Sequence, residues 1–297
     1  MKIKTLFLET RPHFLLLTPT CLSVGFASAW HDGFFNFQHL VLALIGVLLL
    51  HVSVNVLNDY FDYKRGTDLL TVTTPFSGGS GFLPSGSLDP EQVYKLGLIS
   101  LAIASVIGCY FVCLYPILLP IIVIAAFSVY FYTPLLTRLW IAEIFPGLNF
   151  GPLAILGAYI TQLPANNLAI SPVPFLASIP VGLLVSNLLF LNELPDYEAD
   201  YRTGRRHAVI LLGRRKASKV YVFILMLTYI SIAVPAILGL LPIYVMISFI
   251  TIPIAMKSSI IALKNYDRIE ELIPAMRLNV ITTLMVPLLI TLGLLIS

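Results

Sequence analysis

The chain has 297 residues, of which 58% are hydrophobic and only 11% are charged, and its mean hydropathy is +0.92. Because about a quarter of the residues in an ordinary soluble domain are charged, this composition excludes a soluble globular protein and indicates a membrane protein. The three cysteines, Cys21, Cys109 and Cys113, all fall within apolar runs, so the sequence suggests neither a disulfide framework nor a zinc site.

Nine apolar runs follow one another along the chain, each near the length of about 20 residues that crosses the hydrocarbon layer of a bilayer. They lie at about 12–30, 38–58, 92–113, 115–132, 141–161, 172–192, 218–238, 240–262 and 278–297. Unpaired backbone groups cannot face lipid, and the runs lack the alternation of strands, so we expect helices. The predicted fold is an all-α multi-pass membrane protein with nine transmembrane helices, and residues 1–297 form a single transmembrane domain.

The basic residues predict the orientation of these spans. With nine spans, all 18 Lys and Arg residues fall in the loops and span ends on one side. By the positive-inside rule this side is cytoplasmic, so we expect a cytoplasmic N-terminus and a location in the cell (inner) membrane. Since topology accounts for the basic residues, they do not indicate a nucleic-acid partner. Every Asp and Glu except Asp32 also falls on this side, so any chemistry is expected to face the cytoplasm.

The stretch NVLNDYFDYKRGTD, residues 55–68, places an acidic group at the cytoplasmic end of the second span. Asn55, Asn58, Asp59 and Asp62 have the spacing i, i+3, i+4 and i+7, so they share one face of a helix. Asp68 follows them in the loop. The rest of the predicted helix is apolar, so this polar face is unusual for its position.

A second acidic cluster, NELPDYEADYRTGRR, begins at the end of the sixth span and repeats the pattern. Asn192, Asp196 and Asp200 are spaced four residues apart, with Glu193 also within reach on the helix. Both clusters contain the pattern N-x-x-x-D. We therefore interpret residues 55–68 and 192–206 as a pseudo-repeat within the single domain.

Carboxylates gathered round one cavity repel one another and stay ionised only when positive charge lies between them. Mg²⁺ takes such oxygen ligands and commonly bridges a few carboxylates to the phosphates of a substrate. Basic residues that can bind phosphate oxygens follow both clusters, namely Lys64 and Arg65, and Arg205 and Arg206. The sequence therefore predicts a magnesium-diphosphate site. Solvated helix ends are the alternative, and they account for one cluster better than for two of matching spacing.

Three further segments are candidates to complete the site. The Gly-, Ser- and Pro-rich stretch after the first cluster and the basic stretch after the second are long enough to act as lids. The third cytoplasmic loop carries Tyr130, Tyr132 and Arg138. An aromatic face can stabilise a carbocation, and Arg138 can bind phosphate. The tyrosines are also expected in the aromatic belt of a membrane protein.

These motifs resemble the intramembrane aromatic prenyltransferases of the UbiA superfamily. The segment TRPHFLLLTP is similar to the family's opening R-P segment, and NDYFDYKRGTD and DYEADYRTGRR resemble its two Asp-rich motifs. Together with the run EIFPGLNFGPLAILGAYITQ, they are most similar to the 1,4-dihydroxy-2-naphthoate polyprenyltransferases of menaquinone biosynthesis. The resemblance implies nine helices round a central cavity, and transfer of a prenyl group from an isoprenyl diphosphate to an aromatic acceptor.

The resemblance also implies roles for individual residues. The catalytic residues that bind Mg²⁺ and diphosphate would be Asp59, Asp62, Asp196 and Asp200, with Asp68 as a further metal ligand. Substrate-binding positions are Asn55, Asn58, Lys64, Tyr132, Arg138, Asn192 and Arg205. An acceptor-side base is not identified.

Two kinds of alternative function remain open from the sequence. The first is the same chemistry with another acceptor, such as 4-hydroxybenzoate, homogentisate or a glycerol phosphate lipid. The second is a secondary transporter for an anionic or metal-coupled solute. Transporter sites tend to lie at the bilayer midplane between two inverted halves, whereas here both acidic clusters are expected at one face. This difference favours the enzyme.

Overall fold

The computed structural model describes residues 2–166 and 168–297, with residues 2 and 3 described through their backbone only. All regular structure in this part of the chain is helical, which confirms the predicted all-α class. In chain order the α-helices are α1 (Lys2–Glu9), α2 (Leu17–His31), α3 (Phe37–Arg65), α4 (Pro90–Leu114), α5 (Leu119–Phe131), α6 (Ile144–Leu148), α7 (Ala154–Ile160), α8 (Val173–Arg202), α9 (Ala208–Leu212), α10 (Arg214–Ile237), α11 (Ile252–Asn265) and α12 (Ile269–Leu295).

Six helical stretches within the described residues are long and apolar enough to cross a membrane. They are α3, α4, α8, α10, the continuous stretch Ile243–Asn265 that ends in α11, and α12. Two shorter apolar helices, Pro116–Phe131 and Ile144–Ile160, lie in the predicted fourth and fifth spans. This supports a multi-pass membrane protein, and the count of nine spans stays a prediction.

The helix α3 carries the first acidic cluster at its C-terminal end. The Asn36 side chain caps the N-terminus by accepting a hydrogen bond from the backbone N–H of His39, and Gly66 ends the helix at a positive φ of 84°. Its 29 residues extend about 43 Å at 1.5 Å per residue. Because the hydrocarbon layer is about 30 Å thick, the helix is longer than the layer and its acidic last turns can lie at the membrane surface.

The helices α3 and α4 pack closely along one another. The Ser53 hydroxyl donates to the backbone carbonyl of Gly97, at 2.8 Å. A Cβ on Gly97 would lie 2.7 Å from the Leu57 side chain, so the contact requires glycine. This pairing fixes the rotation of α3 and thereby the direction in which its polar face points.

The helix α8 carries the second acidic cluster and crosses the segment α6–α7 at a glycine contact. Between α6 and α7, residues Asn149–Leu153 form a π-helical turn with non-helical dihedral angles at Gly151, next to Pro152. A Cβ on Gly151 would lie 2.6 Å from the Cα of Gly182 on α8. The predicted fifth span is therefore interrupted, and the interruption turns Asn149 and Phe150 towards the interior.

Candidate active site

A cavity of about 380 Å³ opens between the helices and changes character along its length. Ala43 and Asp62 both line it and are 19 residues apart on α3, which corresponds to about 28 Å. The end near Ala43 is bordered by apolar side chains, including Ile107, Phe111 and Leu118. The other end is bordered by polar residues of both acidic clusters, namely Asn55, Asn58, Asp62, Asp68, Asn192, Glu193, Asp196, Asp200 and Arg205.

Arg205 joins the two acidic clusters. Its Nη2 lies 2.5 Å from both carboxylate oxygens of Asp62, and its Nη1 donates to Oδ1 of Asp200 at 2.9 Å. All three side chains are buried, with exposed fractions of 12% for Arg205, 7% for Asp62 and 0% for Asp200. Burial acts to lower the pKa of Arg205, but the carboxylates of Asp62 and Asp200 outweigh it and raise the pKa. The guanidinium therefore stays charged and holds α3 and α8 together.

The polar face of α3 divides between the cavity and the N-terminal segment. Asn55, Asn58 and Asp62 line the cavity, and the Asn58 amide donates to Oδ2 of Asp62 at 3.0 Å and to the Thr133 hydroxyl at 2.8 Å. Asp59 is buried, with 1% exposed, and forms an ion pair with Arg11. The four residues predicted to share a face are neighbours on the helix, but Asp59 is engaged outside the cavity lining.

The N-terminal segment contributes two charged residues for which the sequence predicted no role. Arg11 lines the cavity and pairs with Asp59, and Glu9 is fully buried beside it. Burial, together with the nearby Asp59 carboxylate, raises the pKa of Glu9 to about 7. The only signal for Arg11 in the sequence was the segment TRPHFLLLTP, which resembles the family's opening segment but did not indicate a partner for Asp59, and Glu9 lies just before that segment.

The glycine-rich loop after α3 folds over the acidic residues. The backbone N–H of Ser80 donates to Oδ2 of Asp59 at 2.9 Å, and the Ser80 hydroxyl donates to Glu9 at 2.5 Å. A Cβ on Gly79, whose φ is +73°, would lie 3.1 Å from Oδ2 of Asp68. Burial first, and then the carboxylates of Asp62 and Asp59, raise the pKa of Asp68 to about 8. The loop thus keeps water away from the first acidic cluster.

The other predicted substrate-binding residues are distributed unevenly. Tyr132 and Asn192 line the cavity. Lys64 is exposed, with its Nζ over the ring of Tyr60 at 5.8 Å from the centroid, and it is outside the cavity lining. Arg138 is also exposed and outside the lining. The roles of Lys64 and Arg138 therefore stay predictions that the cavity geometry does not support directly.

Arg65, the neighbour of Lys64, points inward instead. Its guanidinium donates to the Thr133 carbonyl at 2.9 Å and to the Thr137 hydroxyl at 3.3 Å. These contacts tie the end of α3 to the loop after α5. Positions 64 and 65 could not be told apart by sequence, because consecutive residues on a helix point about 100° apart and the packing decides which one faces inward.

Comparison with known proteins identifies the family. A model of the UbiA prenyltransferase family matches residues 16–281. The chain belongs to this family. It is 26% identical over 295 residues to the 1,4-dihydroxy-2-naphthoate octaprenyltransferase of Bacillus subtilis, and the alignment covers 97% of this chain and 91% of that protein. It is 25% identical over 297 residues to the protein of the same name from Escherichia coli, with 97% and 94% covered.

A structural comparison shows the same fold. A UbiA homologue from Archaeoglobus fulgidus, solved with DMAPP and Mg²⁺ bound, aligns with a TM-score of 0.61 over 95% of this chain and 97% of that chain, at 16% identity. The resemblance seen in the sequence motifs is confirmed, and the protein is a prenyltransferase.

The polar end of the cavity in this UbiA prenyltransferase has the donor set that Mg²⁺ requires. Buried oxygen atoms of Asp196 and Asn192, Oδ1 in both cases, have no hydrogen-bond partner among the residues that the structure describes. Both residues line the cavity beside Asp62, Asp68 and Asp200. Buried polar atoms without partners are costly unless a ligand satisfies them, and oxygen donors of this kind suit a hard divalent cation. The residues present therefore fit Mg²⁺.

Proposed function

We propose that this UbiA prenyltransferase transfers a polyprenyl group from an isoprenyl diphosphate to 1,4-dihydroxy-2-naphthoate, with Mg²⁺ as cofactor. One observation carries the proposal: Arg205 donates hydrogen bonds to both Asp62 and Asp200, so the two acidic clusters lie together at the polar end of an otherwise apolar cavity. The names of the Bacillus subtilis and Escherichia coli relatives support the acceptor. The archaeal homologue bound to DMAPP and Mg²⁺ supports the donor and the metal.

In this proposal the carboxylates of Asp62, Asp68, Asp196 and Asp200 hold the metal, and Asn192 supports them. Bound Mg²⁺ supplies positive charge that stabilises the departing diphosphate. Arg205 is placed to donate hydrogen bonds to phosphate oxygens, because its guanidinium already lies between the two acidic clusters.

Asp59 is included as a further metal ligand. To reach a cation in the cavity its carboxylate must release Arg11, which itself lines the cavity and can then turn to the diphosphate. The proposed role of Asp59 therefore depends on an exchange of partners at the N-terminal segment.

The apolar part of the cavity is suited to the formation and capture of an allylic cation. When the C–O bond of the allylic diphosphate breaks, diphosphate leaves with the electron pair and an allylic cation remains. Tyr132 and Phe150 line the cavity and offer aromatic faces that can stabilise this cation. A carbon of the aromatic acceptor then attacks the cation and the ring loses a proton. The loop carrying Gly79 and Ser80 limits the access of water, which would otherwise capture the cation.

We further propose that the chain forms one domain with nine spans, a cytoplasmic N-terminus and an active site that faces the cytoplasm across the inner membrane. The confinement of all Lys and Arg residues to one side supports this orientation. The interruptions at Pro116 and Gly151 account for the short helices in the predicted fourth and fifth spans.

The decisive experiment uses purified protein, one labelled isoprenyl diphosphate and a panel of acceptors that includes 1,4-dihydroxy-2-naphthoate, 4-hydroxybenzoate, homogentisate and a glycerol phosphate lipid. We expect labelled product with the naphthoate only, and only when Mg²⁺ is present. Product with a different acceptor would refute the proposed acceptor and retain the reaction class. Solute uptake into vesicles without any release of diphosphate would instead support the transporter.

A further inference from the structure

A second group of buried titratable side chains lies behind Asp200. It consists of Glu143, which precedes α6, Glu193 on α8 and His207, which precedes α9. Their exposed fractions are 5%, 7% and 1%. One ligand atom from each of the three lies within 4.8 Å of the other two. Of these residues only Glu193 lines the cavity, so the group adjoins the predicted diphosphate site but lies mostly behind the cavity wall.

The contacts of His207 define which of its ring nitrogens is free. Nε2 lies 3.0 Å from Oδ2 of the fully buried Asp200. Because a carboxylate accepts, Nε2 carries the proton of that hydrogen bond, so Nδ1 is the ring nitrogen that is available to a metal ion. Nδ1 is buried and has no hydrogen-bond partner among the described residues. It faces the carboxyl groups of two glutamates, and a positive charge placed among these groups would be favourable.

The distances round Nδ1 match those between ligands of one metal ion. Nδ1 lies 3.3 Å from Oε2 of Glu193 and 3.8 Å from Oε1 of Glu143. Two ligand atoms of a tetrahedral ion, each about 2.1 Å from it, are about 3.4 Å apart. Among the described residues Oε2 of Glu193 lies beside Nδ1 without forming a hydrogen bond to it, and the carboxyl groups of Glu193 and Glu143 are hydrogen-bonded to each other. The oxygen flanks the nitrogen, as expected for two atoms that share an ion.

The surrounding contacts complete the arrangement of a metal site. The backbone N–H of Ala208 donates to Oε1 of Glu143 at 2.8 Å and orients that carboxylate. Asp200 orients His207 through its second nitrogen, which is the usual outer-shell partner of a metal-bound histidine. Since Glu193 borders the cavity, a cation can reach the group from there.

We propose that Glu143, Glu193 and His207 form a second metal site, which binds a divalent transition-metal ion of the Zn²⁺ class. Imidazole favours such ions over Mg²⁺, which prefers oxygen ligands alone. The ion compensates the buried carboxylates and fixes the ring of His207, which in turn positions Asp200 at the diphosphate site. The proposal depends on neither the acceptor nor the prenyl chain length.

The test is equilibrium dialysis of the purified full-length protein with Zn²⁺ in the presence of excess Mg²⁺, with metal content measured by mass spectrometry. We expect about one tightly bound Zn²⁺ per chain. Glu193→Gln should weaken binding by more than the roughly 10–100-fold that loss of an outer-shell partner costs, and His207→Ala should do the same. X-ray absorption of the zinc complex should show imidazole nitrogen in the first coordination sphere.

Two control variants separate this site from others. Asp196→Asn alters the predicted Mg²⁺ site and should retain Zn²⁺ binding in full. His31→Ala removes an exposed histidine and should also retain it. The proposal is overturned when wild-type protein binds no Zn²⁺, or when folded Glu193→Gln and His207→Ala bind as tightly as wild type. Loss of binding in Asp196→Asn alone would assign the ion to the diphosphate site and also overturn it.

Discussion

Asp62 and Asp196 provide a direct test of the site, because both are predicted to hold Mg²⁺ but, among the described residues, only Asp62 of the two forms an ion pair. Asp62 accepts from Arg205 at 2.5 Å and from Asn58 at 3.0 Å. Hydrogen bonds to charged groups contribute about 1.5–3 kcal/mol each, so Asp62→Asn should lower the free energy of unfolding by about that amount. Within the described part of the chain Asp196 forms no ion pair, its buried Oδ1 has no hydrogen-bond partner, and its contact with Ser77 is to a neutral hydroxyl. Asp196→Asn should therefore leave stability unchanged or raise it.

Activity should respond differently from stability. Each substitution removes a proposed Mg²⁺ ligand, and the metal would stabilise charge on the leaving group, so we expect kcat/KM to fall by at least about 10²–10³-fold in both variants. The assay is Mg²⁺-dependent formation of prenylated product, paired with thermal melting of the purified protein in detergent. Asp267→Asn, at an exposed position, is the matched control and should change neither quantity. Near-normal turnover of Asp196→Asn, or equal melting temperatures for the two site variants, would refute this account of the site.

Three further outcomes follow from the described geometry. As a proposed Mg²⁺ ligand Asp68 must be ionised, and its pKa is raised to about 8. Mg²⁺ affinity measured by titration should therefore rise from pH 6 to pH 8 and then level off. A similar pH dependence in Asp68→Asn would contradict this. In Gly182→Ala the new Cβ would lie 2.9 Å from the carbonyl oxygen of Gly147. Such overpacking should lower the free energy of unfolding by about 1–3 kcal/mol, measured in a melting assay. An unchanged melting temperature would show that the contact relaxes. In Gly108→Leu the new Cβ would lie 3.0 Å from Ile122, and the leucine side chain would occupy the apolar part of the cavity. The value of kcat/KM should therefore fall more for a long isoprenyl diphosphate than for a short one. An equal loss for both would place the prenyl tail elsewhere.

The sequence predicted the helical class and the polar face of α3 because both follow from local periodicity. A spacing of three and four residues places Asn55, Asn58 and Asp62 on one side of any α-helix, whatever packs against it. The same rule applied to α8, and the structure brings Asp196 and Asp200 to the same cavity. These residues could be predicted because their arrangement needs only one helix at a time.

Partners from distant segments could not be predicted in this way. The ion pair of Arg11 with Asp59 joins residues 48 positions apart, and no periodicity relates them. The choice of Arg65 over Lys64 as the inward-facing residue depends on the loop that contains Thr133. The break in the helix at Gly151 depends on how closely α8 approaches, although the neighbouring Pro152 is typical of an irregular helix.

The ion pairs of Arg11 and Arg205 bear on how substrate binds. The carboxylates of Asp59 and Asp62 are each held by a guanidinium, with which a cation bound at either carboxylate would compete. A buried guanidinium, in turn, leaves a carboxylate only when another anion replaces it, because an unpaired buried charge is strongly unfavourable. Diphosphate and Mg²⁺ satisfy both requirements when they enter together, since the phosphate oxygens take the guanidinium groups and the metal takes the carboxylates. At the proposed site we therefore expect the metal and the diphosphate to bind as a pair in preference to either one alone.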